Sequence, residues 1–193
     1  CRSSSRTSRR TPDRNDRRAS QTSAESAPRT ARTQPHDGMA LFPEELEDDW
    51  QEKVIAKMGD MLGKYRSLQV YMDACVHCGA CSDKCHYFLG TADPKNMPVA
   101  RQDLMRKVYR RYFTFAGKHF PKLVGAVDLT REVLDEWYTY FNQCSECRRC
   151  SVFCPYGIDT AEVTMAAREI MASVGLGQKY ANEIIGKVHR IGN

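Results

Sequence analysis

Eight of the nine cysteines fall in two runs with the same internal spacing. CVHCGACSDKC places Cys75, Cys78, Cys81 and Cys85, and CSECRRCSVFC places Cys144, Cys147, Cys150 and Cys154. Each cysteine lies 69 residues after its counterpart. The shared pattern, C-x2-C-x2-C-x3-C, suits a cubane [4Fe–4S] cluster. Cysteines three apart in an irregular loop can reach three corners of one cube, and the loop amides can hydrogen-bond its sulfurs. In two-cluster ferredoxins the fourth cysteine serves the other cluster. On that rule one cluster takes Cys75, Cys78, Cys81 and Cys154, and the second takes Cys144, Cys147, Cys150 and Cys85. Pro155 pushes Cys154 toward an extended backbone and separates the loop from the next segment.

Two other chemistries compete for these cysteines. Structural zinc favours two CxxC pairs around one tetrahedral ion and has no use for a third cysteine at the next step, twice over. Disulfides need a geometry that cysteines three apart rarely meet, and an oxidising compartment. The first residues contain no apolar signal core, and the apolar runs fall far short of the ~20 residues a bilayer requires. The expectation is a soluble protein of a reducing compartment whose cysteines are metal ligands.

The formal charge of +5 belongs to one end of the chain. Residues 1–38 hold nine Arg against four acids, and the remainder is balanced at twenty of each sign. The folded part therefore has no net bias toward polyanions. Residues 1–38 also lack Ile, Leu, Val, Met, Phe, Tyr and Trp, so nothing there offsets the entropy of ordering. A transit peptide or a basic nucleic-acid arm is a poorer reading than a disordered extension, or upstream sequence preceding Met39.

From Pro43 the apolar residues recur in helical steps. Leu46, Trp50, Val54, Met58, Met61, Leu62 and Tyr65 define one face, behind the acids Glu44, Glu45, Glu47 and Asp48. Helices are expected from about Val99 to Phe115, with a loop over Gly117–Gly125, and from about Arg131 to Asn142, capped by Thr130. A capping box at Asp159–Glu162 opens a helix ending at Gly175, and a last helix covers about residues 178–190. No strand pattern stands out. The fold class expected is all-α: a helical dicluster ferredoxin domain over residues 39–193, with two metal loops set between helices.

Other residues near the runs have two readings each. His77 and His86 could replace a thiolate, but with eight cysteines present an outer, solvent-facing place is favoured. Arg148 and Arg149 lie between ligands of the second run. If they stand beside an anionic cluster they raise its potential, and the second cluster is then the easier to reduce. Residues 101–122 interleave seven Arg or Lys with Tyr109, Tyr112, Phe113, Phe115 and Phe120. This is a docking surface for a membrane subunit or anionic headgroups, or else an amphipathic helix with its aromatics in the core and its arginines in water.

The residues also carry a family likeness. CVHCGACSDKCHYFLGTADPKNMPVARQDLMRKVYRRYF and NQCSECRRCSVFCPYGIDTAEVTMAAREIMASVGLGQKYANEIIGKVHRIGN resemble the helical dicluster domains of heterodisulfide reductase D-like (HdrD-like) proteins. These include subunit K of sulfite-reduction-associated electron transfer complexes (DsrK). The resemblance implies an electron relay in dissimilatory sulfur metabolism. Its electrons would come from a membrane quinol-oxidising cytochrome b-type subunit, with the whole peripheral on the inner face of the cytoplasmic membrane. They would pass to a catalytic domain with paired-cysteine CCG motifs acting on a small sulfur-carrier protein. This sequence has no adjacent Cys-Cys and no cysteine after Cys154, so it reads as the relay half without the catalytic half. A stand-alone two-cluster carrier is the other reading.

Overall fold

A computed structural model describes residues 46, 48–177 and 179–192. The expectations for residues 1–38, for Pro43 and for Glu44, Glu45 and Glu47 lie outside the described residues. Those described are helical and include no strand.

Helix α1, Trp50–Lys64, buries Val54, Met58, Met61 and Leu62 in one stripe. The helix ends where Tyr65 turns extended, and α2, Arg66–Ala74, starts at once. Helix α2 was not legible in the sequence. It buries only Leu68 and Met72, one turn apart, and no side chain caps its start. The first cysteine run comes next, ending in α3, His86–Thr91. Helix α4 spans Pro98–Phe113, with proline in its first turn where the missing N–H costs nothing.

The expected loop over Gly117–Gly125 is shorter than the sequence implies. A five-residue helix, α5 (Phe115–His119), includes Gly117 and is capped by Thr114 Oγ1 accepting from the Gly117 amide. A Cβ on Gly117 would stand 1.8 Å from the Arg110 carbonyl oxygen, so glycine lets α5 fold back on α4. Helix α6, Arg131–Asn142, has Thr130 as its side-chain cap.

After the second run and its single turn α7 (Arg149–Val152), Asp159 caps α8, Thr160–Ser173. Its carboxylate accepts from the amides of Ala161 and Glu162 and from Ser151 Oγ. Glu162 accepts from Ser67 Oγ of α2, tying the two helices together. A last helix, α9, covers Lys179–Ile191.

Helix α8 is the axis of the fold and touches α1, α2, α4 and α6. The small side chains Ala166 and Ala167 let neighbours approach closely, while Val163, Ile170 and Met171 fill the space between them. Both cysteine runs are held at the end of this bundle where α4 and α8 begin.

The basic segment 101–122 divides between its two readings. Val108 and Tyr109 are buried, whereas Phe115 and Phe120 are exposed. The expectation that its arginines lie in water needs correction. Arg101 and Arg106 are each 1% exposed and take polar partners inside the bundle.

Candidate metal centres

The two cysteine loops share backbone conformation as well as spacing. His77 and Gly79 have φ of 58° and 76° in the first loop, and Glu146 and Arg148 have φ of 55° and 57° in the second. These are the same two positions, 69 residues apart. Left-handed backbone at each curls the chain so that successive cysteines face one centre. Three of the four residues are not glycine, and a left-handed conformation costs such residues about 1–2 kcal/mol each. The surroundings must hold that strain, which is common where backbone is shaped for a ligand.

Each loop is clamped by an arginine from a distant helix. Arg106 of α4 donates through Nε to the Met72 carbonyl (2.7 Å), just before the first loop, and through Nη1 to Asp103 (2.6 Å). His77 Nε2 lies 2.8 Å from both Asp103 Oδ1 and Arg106 Nη1. One ring nitrogen cannot do both, so Nε2 either donates to Asp103 or accepts from Arg106, and in both cases it faces this ion pair. This fixes His77 outside the cysteine ring. His86 instead lies in the wall of the second cysteine hollow, with Nε2 3.3 Å from Ser145 Oγ.

Arg168 of α8 holds the second loop. It donates to the carbonyls of Phe141 (2.7 Å through Nη2) and Cys144, and to Glu146 Oε1 (2.7 Å). Replacing it by alanine removes the side-chain donor from both carbonyls, leaving Phe141 the Cys144 amide, and frees a strained loop. Arg168→Ala is expected to cost about 3 kcal/mol and to lower iron retention in the second loop more than in the first. Denaturant unfolding and metal analysis of the variant check this; unchanged iron and stability would count against the clamp.

The cysteines ring two adjoining hollows. Cys75, Cys78, Cys81 and Cys154 line one. Cys144, Cys147, Cys150 and Cys85 line another. Cys150 also reaches the wall of the first, so it stands between them. Cys78 and Cys147, again counterparts, are exposed, and the other six are half-buried. All eight are free thiols. Among the described residues, no three His, Cys, Asp or Glu side chains converge as ligands of a single ion. The sulfurs surround a space instead, and an all-thiolate ring around a space suits a metal–sulfur cluster.

The electrostatics of the hollows bear on what they can hold. Burial pushes the Cys81 thiol up to about 11, against the pull of a backbone hydrogen bond at Val99. Burial raises Cys150 as well. Without a positive partner these sulfurs stay protonated at neutral pH; a bound metal reverses that by binding the thiolate. The N-terminus of α4 lies between the hollows, with Val99 on one wall and Pro98 on the other, and its dipole favours negative charge there.

Comparison with known proteins agrees with this geometry. Residues 71–158 match the family model described as "4Fe-4S dicluster domain". The chain carries a 4Fe-4S dicluster domain. Over 148 residues, 77% of this chain and 27% of the relative, it is 55% identical to "Hdr-like menaquinol oxidoreductase iron-sulfur subunit 2" of Archaeoglobus fulgidus. The corresponding iron–sulfur subunit of Archaeoglobus profundus is 53% identical over the same shares. The D subunit of the "Dihydromethanophenazine:CoB--CoM heterodisulfide reductase" of Methanosarcina barkeri is 26% identical over 61% of this chain and 29% of its own length. The chain thus spans between 27% and 29% of the curated relatives it matches. No solved structure matches it. The likeness supports the heterodisulfide reductase-like group, without singling out the sulfite-reduction subunit K.

Sequence reasoning did not find Arg101, Arg106, Asp103 or Arg168 in the dicluster domain. A signal existed for Arg101, which shares a helical stripe with Met105, Val108 and Tyr112 at three- and four-residue steps. A charge on an apolar stripe implies a buried partner.

Proposed function

We propose that the domain binds two [4Fe–4S] clusters and relays electrons between them. Each cluster is held by three cysteines of one run and the fourth of the other: Cys75, Cys78, Cys81 and Cys154, then Cys144, Cys147, Cys150 and Cys85. The observation that carries this is the sorting of the eight thiols into two adjoining hollows, each drawing on both runs. Each cluster, when bound, accepts and releases one electron. The protein's part is to fix the thiolates, exclude water from the half-buried ones, and keep the two centres close through Cys150.

The family resemblance, together with the relatives' names, extends the proposal. Electrons enter from a menaquinol-oxidising membrane subunit of cytochrome b type and leave toward a heterodisulfide reductase-like catalytic domain. In the subunit K version, that domain serves a small sulfur-carrier protein in dissimilatory sulfur metabolism. Among the described residues no helix is long and apolar enough to cross a membrane. In this reading the domain is peripheral on the inner face of the cytoplasmic membrane, through other subunits.

Anaerobic reconstitution followed by iron and sulfide analysis tests the core of this proposal. The expected result is about eight irons per chain, with EPR of the reduced protein showing two interacting centres. Stoichiometric zinc without iron would overturn it.

A further inference from the structure

Arg101 is a buried cation without a counter-charge among the described residues. Its side chain is 1% exposed and lines the hollow of Cys85, Cys144, Cys147 and Cys150. Its Nη2 donates to the neutral Asn96 amide oxygen at 3.1 Å, and its Nε has no partner in the protein. Among the described residues it forms no ion pair. Arg106, further along the same helix and equally buried, has Asp103. A buried guanidinium without a carboxylate is strongly disfavoured unless something negative stands beside it.

The other charges around this hollow are already matched or in water. Glu146 is taken by Arg168, Lys84 pairs with Asp83, and Arg148 is 60% exposed and pairs with Asp159 at 3.5 Å. Arg149 is exposed. The hollow of Cys75, Cys78, Cys81 and Cys154 has no charged side chain in its wall; its polar lining includes the neutral Gln102 and Thr160.

Resting on the two-cluster reading above, we infer that Arg101 is the built-in counter-ion of the second cluster and makes it the electron's resting place. A four-thiolate cluster is anionic in both oxidation states and gains one further negative charge on reduction. A fixed cation in a dry wall favours the reduced form, and far more than arginines in water do. The first cluster lacks such a cation. An electron shared between the two therefore sits on the second, with Arg101 rather than Arg148 or Arg149 as the main cause.

The experiment is a redox titration of the reconstituted protein followed by EPR, with iron counted in every sample. The two-cluster reading is judged by the iron count and the counter-ion by the potentials, so the two can fail separately. A Cys147→Ser variant, in which the second-hollow signal is lost, marks which centre belongs to that hollow. Arg101→Gln is expected to lower that centre's reduced-to-oxidised ratio at a fixed potential at least about tenfold, roughly 59 mV for one electron. The other centre should move by less than about a third of that. Unchanged potentials, or both falling together, overturn the inference, as does a wild-type titration in which the first-hollow centre reduces first. If Arg101→Gln does not assemble, Arg101→Lys decides: a retained charge should keep the ratio within about threefold, and a tenfold fall refutes the counter-ion.

Discussion

Replacing Cys85 by serine is expected to empty the hollow of Cys144, Cys147 and Cys150 while sparing the cluster nearer to Cys85 in sequence. Cys85 lines the second hollow, and its thiol reaches toward the Asn96 carbonyl at 3.6 Å. Iron should fall from about eight to about four per chain, with one EPR centre left and its potential close to wild type. Cys154→Ser should do the converse and spare the second centre. These are the largest functional effects expected of any single substitution, because a cubane that loses one corner is open to oxidation and loss. If Cys85→Ser instead removes the Cys75, Cys78 and Cys81 centre alone, each run holds its own cluster and the exchange of fourth ligands is wrong.

Trp137→Ala is expected to be the most destabilising core substitution. Trp137 is 0% exposed and meets Phe141 edge-on at 5.7 Å between ring centroids. Helix α6, which carries it, packs on both α4 and α8, so the cavity left behind weakens the junction that holds both loops. The loss should be about 3–5 kcal/mol, lowering the Tm of the loaded protein by roughly 10 °C or more. Trp137→Phe should lose much less, because the buried indole N–H has no partner and its removal relieves a cost. Thermal unfolding of the two variants under anaerobic conditions checks this. An alanine variant melting within about 3 °C of wild type would show that the site collapses without penalty.

How much was legible beforehand differs from element to element. Helix α6 was readable to the residue, because Thr130 and a strong apolar stripe mark it from within. Helix α8 was readable through Asp159 and Gly175 for the same reason. Helix α2 was not, since its two buried residues and uncapped start leave almost no local signal; its place comes from packing on α1 and α8. The extent of the loop after α4 was misjudged because α5 depends on a glycine pressed against the Arg110 carbonyl, a contact that no residue pattern announces.

The candidate site divides along the same line. Its cysteines could be grouped from spacing, and the histidines and flanking arginines were visible as neighbours in sequence. Whether a histidine points at the cysteine ring or at Asp103 is a tertiary matter. So is whether Arg148 and Arg149 act as cations at the cluster or sit at the surface, one of them paired with Asp159.

By itself, then, the sequence determined the helical class, the candidate thiolate donors and the repeat that makes two loops of one design. These are short-range properties, set by residue type and by steps of three or four along the chain. Only the tertiary structure decided which arginines clamp the loops, which backbone positions turn left-handed in both, and that Arg101 is buried without a counter-charge among the described residues while Arg106 has one. A charge is balanced or not by whatever distant segments place beside it, and burial sets how strongly that balance is felt.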